Sequence, residues 1–281
     1  MAINPNTARN AKHTSVVCMT GGGKGVAMNT LGLIPAKYPV VIFDPHGEYK
    51  KIAGRKVYRY TTQNNFVKTF KQAWQSGKTF ALAYTPNLSG DGEKERKQSL
   101  INASHWFASL VWAAADGNRI LYAVFEEFGE YSEGTQKDAT AIGKVWTGGR
   151  KFGIRAIAIF QRSAEVPKTI WNNSPVKVIG AQGGLNDQER VIKELGCKAV
   201  DVVDLGHRNV KLSMFAKDLD EIVRTKVHYL YSEAGGTFEK VAAYVPQSNY
   251  LTKDWTHEQR QIDKNGGYIT KPLQLAGFIS T

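Results

Sequence analysis

Lys24 follows three consecutive glycines, Gly21, Gly22 and Gly23, which leave the apolar run Val16-Val17-Cys18-Met19 through Thr20. Residues of these types in this order make a cradle for phosphate. Glycine reaches positive φ without steric penalty, so a glycine run lets several backbone N–H groups close on one anion, and a lysine at its end adds a mobile positive charge. A helix predicted over 26–33 would point its positive dipole end at the same place. Thr20, Gly21, Gly22, Gly23, Lys24, Gly25 and Val26 are therefore the candidate nucleotide-binding residues, and adenine nucleotides are the usual ligands of such a turn. Against the pattern G-x-x-x-x-G-K-[ST], Gly23-Lys24 fits. Cys18 stands where the first glycine belongs, and Gly25 stands where the magnesium-binding hydroxyl belongs. On this motif alone, a plain glycine-rich strand-to-helix turn stays open.

About a hundred residues later the apolar stretch Ile120-Leu121-Tyr122-Ala123-Val124-Phe125 ends abruptly in Glu126-Glu127. Two adjacent carboxylates at the end of a buried strand are costly unless they face a cation or water. In nucleotide hydrolases that position carries one acid that holds magnesium and one that polarises the attacking water. The bland alternative is a solvated strand end. A third polar strand end is Gln161, after the alternating Ile and Ala of 154–160; its amide could hydrogen-bond a terminal phosphate or a water, or merely cap the strand. Taken together, the turn and the acids argue for a nucleoside triphosphatase.

The elements that must position these groups read as an α/β fold. Strands are predicted over 14–19, 40–43, 56–60, 80–84, 120–125, 154–160 and 176–181, interleaved with helices over 26–33, 66–74, 93–115, 135–146 and 187–195, the alternation of stacked β–α units. In an open α/β sheet, ligands bind at the carboxyl ends of the strands, where the polar loop Asp44-Pro45-His46-Gly47-Glu48-Tyr49 also lies. Residues 163–173 read as a loop and short helix. Strand patterning recurs over 211–215, 223–231 and 237–244, the last two as a hairpin across Glu233-Ala234-Gly235-Gly236. Trp106 and Trp112 read as core or interface. The expected domains are a flexible lead over 1–13, a nucleotide-binding domain over 14–245, and a polar tail or arm over 246–281.

Composition bounds the rest. A chain of 281 residues, 42% hydrophobic, can bury one large α/β core. No apolar run approaches the ~20 residues of a membrane span, and 1–13 has no signal-peptide core, so a cytosolic protein is expected. Cys18 and Cys197 have no disulfide or zinc spacing and are expected to be reduced and structural. The net charge of +12 is uneven: up to Lys78 there are 12 Lys and Arg against Asp44 and Glu48, a net +10, and +2 for everything after. Its densest cluster, Lys50, Lys51, Arg55, Lys56 and Arg59, is either a nucleic-acid contact or a solvated face.

The order of elements resembles the FtsK–HerA superfamily of DNA-pumping ATPases, in particular the genome-packaging members from tailless, membrane-containing icosahedral viruses. The segments that carry the likeness are Thr20-Gly21-Gly22-Gly23-Lys24, Phe43-Asp44-Pro45-His46-Gly47-Glu48-Tyr49, Phe125-Glu126-Glu127, and Gly149-Arg150-Lys151-Phe152-Gly153-Ile154 running into Ile159-Phe160-Gln161-Arg162. They cover about 14–185. The resemblance implies a RecA-like P-loop NTPase fold, with a mainly parallel central sheet flanked by helices, a C-terminal hairpin and a polar tail. It implies ATP and Mg2+ as ligands, with Gly21 to Lys24 around the phosphates. Glu126 would hold the metal, Glu127 would activate water, Gln161 would sense the terminal phosphate, and Arg150 would be a finger reaching the next subunit's site. It further implies a homo-hexameric ring around double-stranded DNA that packages it into a preformed capsid, partners at a capsid vertex or elsewhere in the virion, and a place in the host cytoplasm or at that vertex. Two departures stand out. At Gly25, Thr30, a water or another group would have to replace the missing hydroxyl, or hydrolysis would be slow; Cys18 would stiffen the start of the loop. The rival readings are a nucleotide-binding vertex component with a degenerate site, and a conjugation, secretion or filamentous-phage assembly ATPase.

Overall fold

A computed structural model describes residues 4–132, 134, 136–218, 226–233 and 237–244. The strands are β1 (Thr14–Val17), β2 (Val40–Phe43), β3 (Lys51–Ile52), β4 (Arg55–Lys56), β5 (Tyr58–Tyr60), β6 (Ala81–Tyr84), β7 (Leu121–Phe125), β8 (Ile154–Phe160), β9 (Val176–Ile179), β10 (Lys226–Ser232) and β11 (Glu239–Tyr244). The helices are α1 (Lys24–Thr30), α2 (Gln63–Gln75), α3 (Glu93–Ala114), α4 (Ala141–Gly148), α5 (Lys168–Asn173), α6 (Leu185–Leu195) and α7 (Ala199–Asp218). One sheet runs β11-β10-β9-β1-β8-β7-β2-β6-β5, parallel from β9 to β5, with the β10–β11 hairpin added antiparallel at one edge. This is the expected RecA-like fold.

Successive residues of each central strand enter different cores. Val17, Phe43, Phe125 and Phe160 pack with Phe107 of α3 and Trp146 of α4 on one face, while Val16, Ile42, Val124 and Ile159 pack with Ala27 and Met28 of α1 on the other. Strands buried on both faces read as near-continuous apolar runs, which is why β2, β7 and most of β8 are visible in the sequence. Trp106 packs on Tyr84 at 5.0 Å between ring centroids, so it belongs to the core.

Several boundaries moved. Residues 211–215, predicted as a strand, lie inside α7. The local alternation Val210, Leu212, Met214 imitates a strand, but Val202 and Leu205 upstream are spaced for a helix and bury against the first core. The strand predicted over 56–60 divides: Arg55–Lys56 pairs with Lys51–Ile52 in a separate ribbon, and only Tyr58–Tyr60 joins the sheet. The helix expected over 135–146 begins at Ala141, capped by the Thr140 hydroxyl. The tail over 246–281 and the hairpin tip over 234–236 lie outside the described residues.

Residues 4–13, expected as a flexible lead, are held against the body. Asn4 N–H donates to Asp116 O (3.1 Å) and Asn6 N–H to Lys151 O (2.8 Å), and His13 is buried with its Nδ1 accepting from Ala156 N–H (3.0 Å). Burial, with the nearby charge of Arg150, lowers the His13 pKa to about 4. The unfolded chain takes up this proton near pH 6.5 and the folded chain only near 4, so between those values the unfolded state binds more protons and stability falls as pH falls. The loss on reaching pH 4 is about 3 kcal/mol. His13→Gln, whose amide oxygen can accept from Ala156, should flatten that part of the pH profile. Urea unfolding of both proteins at pH 7 and 4.5 measures it, and parallel slopes would exclude His13 as the cause.

Candidate nucleotide site

Strand order assembles the site. β1, β8, β7 and β2 are neighbours, and the registers Val17↔Phe160, Phe125↔Ala158 and Phe43↔Phe125 bring the residues that follow each strand to one edge of the sheet. The glycine loop, Gln161, Glu126-Glu127 and Asp44 therefore lie side by side, although their sequence numbers are far apart.

The loop is anchored by Met19 N–H to Ala181 O (2.8 Å) and turns through Gly22 N–H to Met19 O (2.7 Å). Gly21 (φ 65°) and Gly23 (φ 92°) take the left-handed conformation that glycine allows, and a Cβ on Gly22 would lie 2.6 Å from Met19 O. Cys18, out of place in the usual pattern, is accommodated by Gly180 on the neighbouring chain segment, where an added Cβ would sit 2.5 Å from the Cys18 sulfur. Burial pushes its thiol up to about 12, so Cys18 is neutral packing; Cys197 is likewise free and buried.

Lys24 opens α1 and reaches Glu127, Nζ to Oε1 at 3.0 Å, with both side chains about nine-tenths buried. Glu127 has φ 48°, unusual for a residue with a side chain, and starts the short 3-10 turn Phe128–Glu130. That backbone turns its carboxylate away from the strand alternation and towards the loop. Gln161 donates from Nε2 to Glu127 Oε2 (2.9 Å) and accepts at Oε1 from the Thr20 hydroxyl (2.6 Å). Thr20, Lys24, Glu127 and Gln161 thus form one connected network.

Glu126 shares no hydrogen bond with that network. It is buried, its Oε2 accepts from the Tyr49 hydroxyl (2.8 Å), and its backbone O accepts from Tyr131 (3.0 Å). Burial pushes its pKa up to about 8, the Tyr49 bond opposing and the charge of Glu127 assisting. Asp44 holds Tyr49 in place: its carboxylate accepts from the N–H groups of Glu48 (3.0 Å) and Tyr49 (3.1 Å) and from Arg59 (3.2 Å). Tyr49 and Tyr131 escaped the sequence reading, although Tyr49 closes the polar segment singled out after β2. Tyr229, which donates to Gly23 O (2.7 Å), carried no local signal.

Gly25 and Val26 follow Lys24 in the first turn of α1; the Val26 side chain packs against the second core, and Gly25 is exposed, with nothing within 4 Å of an added Cβ. Thr30 sits at the far end of α1 with its hydroxyl on Val26 O (2.6 Å), so it is not in position to replace the hydroxyl missing at Gly25. Arg150 precedes β8 and so lies at the opposite edge of the sheet from the loop, donating to the carbonyls of Thr7 (3.0 Å) and Arg9. The basic cluster also divides. Lys50, Lys51, Lys56 and Arg59 are exposed, Arg59 also donating from one Nη to Asp44, Gly47 and Tyr49, whereas Arg55 is half-buried and donates to Tyr38 O (2.6 Å). No helix among the described residues is long and apolar enough to cross a membrane.

Comparison with known proteins agrees with this architecture. A family model described as the central domain of helicase HerA matches residues 8–102. The genome packaging NTPase B204 from Sulfolobus turreted icosahedral virus 2, solved in complex with ATP-gammaS, superposes with a TM-score of 0.53 at 16% identity, over 84% of this chain and 100% of that one. The bacterial conjugative coupling protein TrwBdeltaN70 superposes with a TM-score of 0.52 at 12% identity, over 88% of this chain and 91% of that one. At these identities the likeness is one of fold. No curated protein sequence matches.

Proposed function

We propose, for a chain whose motifs and fold resemble the FtsK–HerA superfamily, that it is an ATP-hydrolysing motor which packages double-stranded viral DNA into a preformed capsid as a hexameric ring. The observation that carries this reading is the network of Lys24, Glu127, Gln161 and Thr20, in which a loop cation, an acid and an amide converge where a terminal phosphate and its attacking water would sit. On ATP binding, Lys24 would exchange Glu127 for the phosphate, leaving that carboxylate to orient and deprotonate water while Gln161 reports the phosphate. Residues 14–245 would be the ATPase domain. It would act in the host cytoplasm during assembly and dock at a capsid vertex.

Magnesium fits the acid that the network leaves aside. Glu126 is a buried carboxylate at a strand end with its charged form disfavoured by burial, and a divalent cation bound beside it together with the nucleotide would relieve that penalty. Among the described residues no cluster of three or more His, Cys, Asp or Glu could hold a metal by itself, consistent with an ion that arrives with its nucleotide. Bound there, magnesium would neutralise charge on the phosphates.

The DNA surface of this reading is the exposed part of the basic cluster, Lys50, Lys51, Lys56 and Arg59. Long duplex DNA should stimulate phosphate release, and its affinity should be indifferent to sequence and fall roughly tenfold or more between 50 and 200 mM salt. Salt-independent, sequence-specific binding, or no effect of DNA on turnover, would count against a motor.

Gly25 favours a second reading, a vertex component that binds nucleotide without turning it over. Because a Cβ at position 25 meets open space, Gly25→Thr should fold normally and keep or raise hydrolysis in a working site. A Gly25→Thr protein that binds ATP but, like its parent, shows no turnover would favour the structural role.

A further inference from the structure

The glycine loop is held by a residue from a strand far along the chain. Gly23 caps α1 with φ 92°, and no side chain caps that end of the helix. Its carbonyl accepts two hydrogen bonds, from Ala27 N–H inside the helix (2.9 Å) and from the Tyr229 hydroxyl (2.7 Å). Tyr229 is fully buried and comes from β10, two strands away from β1. The register Leu230↔Ile179 on the antiparallel β10 sets Tyr229 one step beyond the end of β9, level with the loop leaving β1. The approach is close: a Cβ on Gly23 would lie 2.7 Å from the Tyr229 oxygen and 2.7 Å from Val227.

A trans peptide is planar, so fixing the direction of the Gly23 carbonyl fixes the opposite direction of the Lys24 N–H. Glycine is the residue least able to hold such a peptide alone, because both signs of φ are open to it. We infer that Tyr229 is a positioning residue for nucleotide binding, its hydroxyl holding the Gly23–Lys24 peptide in the orientation that turns the Lys24 N–H towards the phosphates. The inference rests on the nucleotide reading above. Coupling of this kind is reciprocal: if the β10 hydroxyl favours nucleotide, nucleotide must favour the contact with β10 by the same factor.

Tyr229→Phe keeps the ring and removes only the donor. ATP-gammaS should bind the variant about threefold to tenfold more weakly, the size expected for one hydrogen bond, while hydrolysis at saturating ATP stays within about twofold of the parent. In the parent protein, ATP-gammaS should slow hydrogen exchange of the β10 amides, and in Tyr229→Phe that protection should shrink. Val227→Ala is the control, since it loosens packing against the same glycine without touching the hydrogen bond; its melting temperature should fall with nucleotide affinity unchanged. Equal affinity and equal β10 protection in parent and Tyr229→Phe would overturn the positioning role alone. A parent protein that does not bind ATP-gammaS would overturn the nucleotide reading and the positioning role with it.

Discussion

Glu127→Gln should bind ATP as well as or better than the parent and hydrolyse it at least about 100-fold more slowly, the lower end for loss of a general base. The geometry explains both halves. The parent carboxylate accepts from Lys24 and Gln161 at once, so it is held at the edge where water would arrive and its charge competes with phosphate for the lysine. A glutamine keeps the shape and removes the charge, which frees Lys24 for the nucleotide while leaving nothing to take a proton from water. Single-turnover hydrolysis with separately measured ATP affinity checks this. Turnover within a few-fold of the parent would rule out Glu127 as the general base.

Arg150→Ala carries the other large effect. A guanidinium that stabilises charge developing on a neighbour's terminal phosphate is worth on the order of 10³-fold in related hydrolases. Arg150 lies at the sheet edge opposite its own chain's loop and holds the carbonyls of Thr7 and Arg9, so a role in a neighbouring site would require it to give up those bonds on assembly. Mixing separates the two uses. If Arg150 acts in trans, Arg150→Ala subunits with intact Glu127 should regain activity when combined with Glu127→Gln subunits that keep Arg150, although neither hydrolyses ATP alone. A melting temperature that drops in Arg150→Ala, with no recovery in any mixture, would make Arg150 a strut for residues 4–13. Full activity of Arg150→Ala by itself would end the finger role.

How much of this was legible from the chain depends on how local each feature is. The glycine loop, the paired acids and Gln161 could be read because each follows an apolar strand buried on both faces, and such strands announce themselves without knowledge of their neighbours. α7 was misread over 211–215 because a few alternating residues outweighed the helical spacing before them. The bonds of Arg55 to Tyr38 O and of Arg59 to the Asp44 loop could not be read from the chain because those partners are brought to them only by folding.

By itself the sequence determined the α/β class, the glycine loop after the first strand and the supply of acids at strand ends, since these follow from residue type and periodicity. Only the tertiary structure decided how the groups divide. The order β1-β8-β7-β2 joins segments more than a hundred residues apart, and the left-handed backbone of Glu127 sends it to Lys24 and Gln161 while Glu126 stays buried under Tyr49. Which of two adjacent, chemically identical side chains meets the lysine is set by the left-handed backbone of Glu127 and by strands that arrive from elsewhere in the chain, and neither leaves a mark on the local sequence.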